Sequence, residues 1–293
     1  MIDAIIFPSD YFDKKKVDQE LAREYESAIE CGEYTAVLLF SYEDWFHHDK
    51  LKLNVTPQGA INAVYRGWMM HPAQYERFYY ALKDSNVNLA TTPEEYARFH
   101  IFPNIYEAVK TDTPRILTYP DVFGIDLEEV KRTFNRFMVK DYVKSVKGTD
   151  FPDYFDSTVT QGEFDAWMEK FCEYRGSLFT GGICIKEYVD LKKYGSHKNE
   201  YRVFYANGEV LSVSRNSGQK ECSPQPPREL IERYRGLESK FYTVDYAELD
   251  NGNWIVIEVG DGSVSGLSDY QDYIEFYYKL YHSFCAGDSS AGK

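Results

Sequence analysis

Short apolar runs alternate with a segment of helical periodicity in the first third of the chain. Ala4–Pro8 and Thr35–Phe40 are apolar runs of strand length, and Val17–Glu30 between them carries apolar residues at helical spacing. A strand, a helix and a strand in this order predict an open α/β unit. A further strand at Ala63–Trp68 and a helix at Pro72–Lys83 extend this unit.

The pattern changes after Pro114. It predicts a helix at Leu127–Phe134, a strand that begins at Phe137, an amphipathic helix at Gln161–Tyr174 and a strand at Ile183–Val189. This order differs from the regular alternation of the first third, so a second structural unit is expected to begin near this proline.

Two β-hairpins are predicted further along the chain. Tyr201–Ala206 and Glu209–Ser214 flank Asn207-Gly208, a pair that favours a type I′ turn. A second hairpin is predicted over Phe241–Val259, followed by a tyrosine-rich helix over Ser268–Phe284. Hairpins combined with helices indicate α+β structure in the second half, distinct from the α/β first part.

The net charge narrows the range of partners. The 47 acidic residues exceed the 33 lysines and arginines, which gives a net charge of −14 and a pI near 4.9. Such a surface repels phosphate backbones and anionic lipids, so neither nucleic acid nor a membrane is expected as a partner. The N-terminus shows no signal peptide and no apolar run reaches transmembrane length, so we expect a cytoplasmic protein.

The cysteines and one histidine pair do not predict a metal site. The five cysteines are scattered, odd in number and without a CxxC pair, so we interpret them as thiols of a reducing compartment. The adjacent His47-His48 would point to opposite sides of a strand. We therefore predict a polar loop there, which also includes Glu43-Asp44.

A lysine cluster is the first candidate for binding chemistry. Lys140, Lys144 and Lys147 follow an apolar run in the segment FMVKDYVKSVKG. Their spacing would place them on one side of an exposed helix. The strand-forming residues between them favour the other interpretation, in which a strand delivers lysines to a phosphate-binding loop.

Two carboxylates are the second candidate. Asp245 and Glu258 lie inside apolar strands of one predicted hairpin, where an unpaired charge is costly. Facing residues of paired strands lie about 5 Å apart, so the two carboxylates would repel unless a cation lies between them. Mg²⁺ often binds to one or two carboxylates together with substrate phosphates. Lys186, Arg202 and Arg215 lie in neighbouring predicted elements and could face those phosphates.

These segments together resemble the ATP-grasp superfamily. The runs VKDYVKS, EYRVF and IEVGDGSVSGL are similar to the branch named for two arginines and one lysine, and the resemblance covers about 137–267. AVYRGWMM, EYARFH and FPNIY in the first half are also similar. The resemblance implies an ATP-grasp fold with an N-terminal open α/β (pre-ATP-grasp) domain. The predicted divisions are 1–112 for that domain, 113–190 for the first lobe with its hinge, 191–286 for the second lobe and 287–293 for a disordered tail.

The resemblance also implies roles for residues around bound ATP. The residues expected at the phosphates are Lys140, Lys144, Arg202 and Arg215; of these, Lys140, Arg202 and Arg215 are the predicted catalytic residues. Lys186 would enter the hinge, and Glu187, Tyr188 and Val189 would recognise adenine.

The metal set departs from the family pattern at one position. The resemblance implies that Asp245 and Glu258 hold Mg²⁺. Many ATP-grasp enzymes place Asn two residues after the metal glutamate, but Gly260 stands there in this chain. Asp261 could supply the missing oxygen, or a second metal would bind weakly.

Arg66 is the predicted substrate residue. It lies in the apolar run AVYRGWMM, where an unpaired guanidinium is costly. A salt bridge to Asp10 or Glu43 is the alternative. The N-terminal domain of the family faces the ATP clasp, and a guanidinium suits a carboxylate or an acyl phosphate, which favours the substrate role.

The activity implied by the resemblance is ATP-dependent ligation. A carboxylate would become an acyl phosphate, and an amine or another nucleophile would attack it. The acceptor, which the sequence does not identify, could be a small molecule, a peptide or a protein. The alternatives are an ATP-binding assembly or chaperone factor without ligase activity, and a degenerate clasp that binds no nucleotide.

Overall fold

The computed structural model describes residues 1–219 and 223–285, and it confirms the predicted combination of α/β and α+β structure. A parallel sheet lies in the N-terminal part, and two four-stranded antiparallel sheets follow it. The predicted tail, 287–293, lies outside the described residues, as does Cys222. The other four cysteines are free thiols.

The N-terminal part is built from parallel strands joined through helices. Its strands are β1 (Ala4–Pro8), β2 (Ala36–Phe40), β3 (Ile61–Tyr65) and β4 (Val87–Leu89), in the sheet order β2-β1-β3-β4. Its helices are α1 (Ala22–Cys31), α2 (Tyr42–His48), α3 (Pro72–Asp84), α4 (Pro93–His100) and α5 (Phe102–Val109). The predicted polar loop at His47-His48 is wrong, because Ser41 caps α2 and the helix buries Trp45.

The middle part contains the first antiparallel sheet. It comprises β5 (Ile116–Tyr119), α6 (Leu127–Thr133), β6 (Arg136–Asp141), β7 (Phe155–Asp156), α7 (Gln161–Arg175) and β8 (Ile183–Glu187), with the strand order β5-β8-β6-β7. Phe137 and Val139 of β6 share a core with Phe164 of α7. Because side chains alternate along a strand, Lys140 points away from that core.

The third part contains the second antiparallel sheet, in the order β12-β11-β13-β14. Its elements are β9 (Lys193–Tyr194), β10 (His197–Lys198), β11 (Glu200–Ala206), β12 (Glu209–Arg215), α8 (Arg228–Arg233), β13 (Phe241–Glu248), β14 (Trp254–Asp261) and α9 (Tyr273–Cys285). Asn207 and Gly208 have φ values of 48° and 80°, which confirms the predicted turn between β11 and β12.

The N-terminal sheet contacts the third part through the segment that follows β3. The N–H of Gly67 donates to the carbonyl of Ser263 at 3.0 Å. Helices α4 and α5 also pack against β14. These contacts place the end of β3 and the end of α4 next to the second antiparallel sheet. Within the described part of the chain, no helix has the length and apolar character that crossing a membrane requires.

Candidate active site

A cavity of about 720 Å³ lies between the two antiparallel sheets. Strands β6 and β8 form one wall, and β11, β13 and β14 contribute to the other. The fold therefore brings together residues that are far apart in the sequence. The predicted site residues that line the cavity come from both sheets and from the segments that follow β6 and β8: Lys140, Lys144, Lys186, Glu187, Tyr188, Val189, Arg202, Asp245 and Glu258.

Two lysines extend from the first antiparallel sheet into this cavity. Lys186 of β8 pairs in register with Met138, two residues before Lys140, so both lysines lie on the same face. Their Nζ atoms lie 5.3 Å (Lys140) and 4.6 Å (Lys186) from the centre of the Phe102 ring. Lys186 Nζ also donates to the carbonyl of Ile257 at 2.6 Å.

The two lysines share a buried environment, being 6% (Lys140) and 5% (Lys186) exposed. Burial and the charge of Lys140 lower the pKa of Lys186 to about 7. A bound anion would offset both effects, because it would form hydrogen bonds with the ammonium group of Lys186 and neutralise the charge of Lys140. The arrangement is therefore suited to an anionic ligand.

The two predicted carboxylates face each other across β13 and β14. Asp245 and Glu258 are direct partners in the strand register. Glu258 Oε1 lies 3.6 Å from Lys140 Nζ. Burial raises the pKa of Glu258, but the surrounding cations, which include Lys140, Lys144 and Arg202, lower it to about 2. Glu258 is therefore a carboxylate at neutral pH.

Arg202 holds the other carboxylate. It lies opposite Asp245 in the β11–β13 register, and its Nε and Nη2 donate to the two carboxylate oxygens at 2.8 and 2.7 Å. Arg202 Nη1 donates to the carbonyl of Gly266 at 3.1 Å. This fork fixes the guanidinium beside the carboxylate pair. Arg202 lines the cavity in this fixed orientation.

The structure does not bring Asp261 together with the other two predicted metal ligands. It lies three residues after Glu258 on β14, so the two side chains point to opposite faces of the sheet. Asp261 is fully buried, its Oδ1 accepts the N–H of Ser263, and burial raises its pKa to about 7. No group of three or more His, Cys, Asp or Glu side chains suited to a metal occurs among the residues that the structure describes. Asp245 and Glu258 are the two carboxylates of the predicted set that line the large cavity, and Mg²⁺ commonly takes one or two carboxylates together with phosphate oxygens.

Arg215 lies outside the large cavity, whereas the predicted hinge residues line it. Arg215 ends β12 outside the cavity lining, with its guanidinium 3.9 Å from the centre of the Tyr270 ring. Tyr188 lines the cavity, and its ring packs on Tyr154 with the ring centres 4.5 Å apart. Glu187 turns its carboxylate to Arg115 at 3.1 and 3.0 Å.

The structure places Arg66 outside the cavity lining. Arg66 is 1% exposed, and its Nε and Nη2 donate to Glu24 of α1, each at 2.9 Å. Its Nη1 donates to the carbonyls of Ser265, at 2.9 Å, and Gly262. The alternative of a salt bridge is thus observed, but with Glu24 in place of Asp10 or Glu43. This arrangement joins the N-terminal part to the third part and gives each of the three guanidinium nitrogens a partner.

A smaller cavity of about 90 Å³ was missed by sequence reasoning. It lies next to the large one, because Lys144, Arg202 and Glu258 line both. The N-terminal part of the chain contributes two residues to its lining: Met69, from the segment after β3, and His100, the last residue of α4. Both residues occur in runs that resemble the family, AVYRGWMM and EYARFH. That resemblance is the sequence feature from which a site at this position could have been predicted.

Solved structures confirm the fold. The chain is similar to the ATP-grasp ligase PsnB complexed with minimal precursor, Mg and ADP, with a TM-score of 0.58, 10% identity and coverage of 96% of this chain and 97% of that one. For D-alanyl-alanine synthetase A from Vibrio cholerae the TM-score is 0.61, with 11% identity and 98% coverage of both chains. For a RimK domain ATP-grasp protein from Sphaerobacter thermophilus the TM-score is 0.60, with 13% identity and coverage of 96% and 98%.

Comparison of the sequence with models of protein families identifies the family of this chain. No curated protein sequence matches the chain significantly. The model of the ATP-grasp domain of family 3, in the clade named for two arginines and one lysine, matches residues 126–280, which include both antiparallel sheets except β5. The match confirms the resemblance predicted from the sequence. Since it spans more than half of the 293 residues, the chain belongs to this third family of that ATP-grasp clade.

Proposed function

We propose that this protein is an ATP-dependent ligase that activates a carboxylate as an acyl phosphate and joins it to an amine or another nucleophile. The observation that carries this proposal is the cavity in which buried Lys140 and Lys186 face Arg202, Asp245 and Glu258. Several lining cations, Lys144 among them, next to Asp245 and Glu258 suit a polyphosphate with Mg²⁺. We further propose that 1–112, 113–190 and 191–286 are the N-terminal domain and the two lobes.

Each proposed cofactor contact follows from the position of a side chain. Asp245 and Glu258 would hold Mg²⁺, and Lys140, Lys144 and Arg202 would neutralise the phosphates. Lys186 would lie at the entrance to the adenine end, next to the hinge residues 187–189. ATP, when bound, supplies the phosphoryl group that converts the substrate carboxylate into an acyl phosphate.

The protein itself would contribute to the reaction by positioning the reactants and by stabilising negative charge. Buried cations on two opposing walls bring the anionic reactants together and stabilise charge that develops during phosphoryl transfer. The surrounding strands hold those cations in place, so they need little rearrangement during the reaction. The nucleophile then attacks the acyl carbon, the C–N bond forms when that nucleophile is an amine, and phosphate leaves. ADP and phosphate are the proposed products. Arg215, which ends β12, would need a change in position to reach the phosphates.

The comparison structures support a peptide or a small molecule as substrate. One of them is PsnB with its precursor peptide, and others are D-alanine ligases and the D-cycloserine synthetase DcsG. The small second cavity would admit only the reacting end of a larger substrate. Arg66 is not among the substrate residues we propose, since it is buried and lines neither cavity.

Mg-ATP is expected to stabilise the protein. At about 100 times its dissociation constant, it should add about 2.7 kcal/mol to the free energy of unfolding. Thermal melting across millimolar Mg-ATP measures this, and Lys140→Ala should weaken the effect whereas the exposed Lys279→Ala should not. A flat melting temperature in wild type would contradict nucleotide binding.

Ligase activity requires a second measurement. Amino acids and short peptides would be screened for ADP release with Mg-ATP, and any product would be identified by mass spectrometry. An amide product with one ADP per bond is the expected result. Mg-ATP stabilisation with no product from any tested carboxylate and amine would favour the assembly or chaperone alternative.

Nucleotide affinity is expected to fall as the pH rises above 7. The pKa of Lys186 is about 7 in the free protein, partly because of the charge of Lys140, and a polyphosphate that neutralises Lys140 would raise it. Binding would therefore take up a proton in this range, and the dissociation constant of Mg-ADP should increase by up to about tenfold per pH unit. Calorimetry in buffers of different ionisation enthalpy measures the proton uptake. Lys186→Met should abolish it, and an equal uptake in that variant would assign the effect to another group.

A further inference from the structure

The small second cavity is lined by a histidine that has no role in the proposed reaction as described above. His100 is 7% exposed, and its ring stacks on Tyr96 with centroids 4.9 Å apart and planes 19° apart. Tyr96 is itself held by hydrogen bonds to the backbone of Met70. The imidazole therefore packs on an aromatic neighbour that is itself held in place, and His100 lines the cavity.

The ring nitrogens of His100 are available. Within the described residues, no hydrogen bond involves either nitrogen of His100, and neither belongs to the fully enclosed polar atoms that lack a partner. Burial, Lys144 and His71 lower the pKa of His100, while Glu258 opposes them. The imidazole is then neutral at pH 7, so one nitrogen is a hydrogen-bond acceptor.

The other polar groups of this cavity are mainly donors or are already engaged. Lys144 and Arg202 bring positive charge, which suits the oxygens of a carboxylate or a phosphate. Glu258 Oε1 lies 3.6 Å from Lys140 Nζ, and the carbonyl of Gly260 accepts from Thr243 at 3.4 Å. Asp261 also lines this cavity, but its Oδ1 accepts the N–H of Ser263 and its Oδ2 is fully enclosed. A substrate group that arrives with N–H or O–H bonds finds its neutral acceptor in His100.

We infer that His100 contacts the nucleophile of the ligation and accepts a hydrogen bond from its N–H or O–H group. This inference rests on the proposed function. The contact would direct the lone pair of the nucleophile toward the acyl carbon, which lies near the phosphate end because Lys144, Arg202 and Glu258 line both cavities. Helix α4 of the N-terminal part would then help to recognise the acceptor.

Two substitutions separate this contact from a structural role. His100→Phe keeps a ring that can stack on Tyr96 but removes the acceptor, whereas His100→Gln keeps an acceptor oxygen and loses the ring. His282→Phe, on the exposed part of α9, is the matched control. Melting temperature and Mg-ADP affinity show whether each variant folds and keeps its nucleotide site.

The experiment measures the KM for ATP, for the carboxylate and for the nucleophile separately, with the substrates found in the amino-acid and peptide screen. His100→Phe should lower kcat/KM for the nucleophile by about 10- to 100-fold, because it leaves a buried donor unpaired. The KM for ATP and for the carboxylate should change less than about threefold, His100→Gln should recover part of the loss, and His282→Phe should behave as wild type. An unchanged kcat/KM for the nucleophile in His100→Phe, or three KM values that rise together, would overturn the inference. Wild type that turns over no tested pair would instead contradict the proposed ligase function, and this inference with it.

Discussion

Replacing Glu258 with glutamine is expected to lower ligase turnover by at least about 100-fold, as is typical when a group that stabilises transition-state charge is lost. The pKa of Glu258 is about 2, so the substitution removes a full negative charge from the proposed metal site at neutral pH. Nucleotide without metal should bind at least as tightly as in wild type, because Lys140, Lys144 and Arg202 lose their anionic neighbour. Titration of Mg²⁺ in the ADP-release assay and calorimetry with metal-free ADP measure the two effects.

The matched control is Glu209→Gln, which makes the same change on an exposed part of β12. It should leave turnover within about twofold of wild type, as an exposed charge contributes little. Unchanged turnover in Glu258→Gln would show that the metal site is assigned to the wrong carboxylate.

Replacing Arg66 with alanine is expected to lower the free energy of unfolding by about 3–5 kcal/mol. The substitution leaves Glu24 buried and without its guanidinium, and it also removes the donor to the carbonyls of Ser265 and Gly262. Denaturant unfolding measures the loss. Arg77→Ala, which breaks an exposed ion pair with Asp49, should cost less than about 1 kcal/mol.

Arg66→Lys tests the sequence-based substrate role against this structural one. Lysine keeps the charge but loses the two-pronged contact with Glu24. The structure predicts lower stability with ADP release per folded molecule close to wild type. A stable variant that loses substrate-dependent ADP release would support the substrate role instead.

The sequence alone determined those features that depend on local patterns. Strands such as Ala4–Pro8 and helices such as Pro72–Asp84 follow from apolar periodicity, which reflects one buried face. The turn at Asn207-Gly208 follows from the backbone that these two residues tolerate. The pairing of Asp245 with Glu258 follows from the register of a hairpin, since its two strands are close in the chain. The family could be identified because several such segments occur in the expected order.

The tertiary structure decided which side chains meet across the parts of the chain. Asp261 lies one residue after Gly260, the position where the family pattern has Asn. Because side chains alternate along a strand, Asp261 points to the opposite face from Glu258. Arg66, in the segment after β3, pairs with Glu24 of α1, which is 42 residues away in the sequence. His100 reaches the second cavity because α4 packs on β14, a strand from a distant part of the sequence. Such contacts depend on how whole elements pack, and no local pattern of residues encodes that packing, so these partners could be read only from the folded chain.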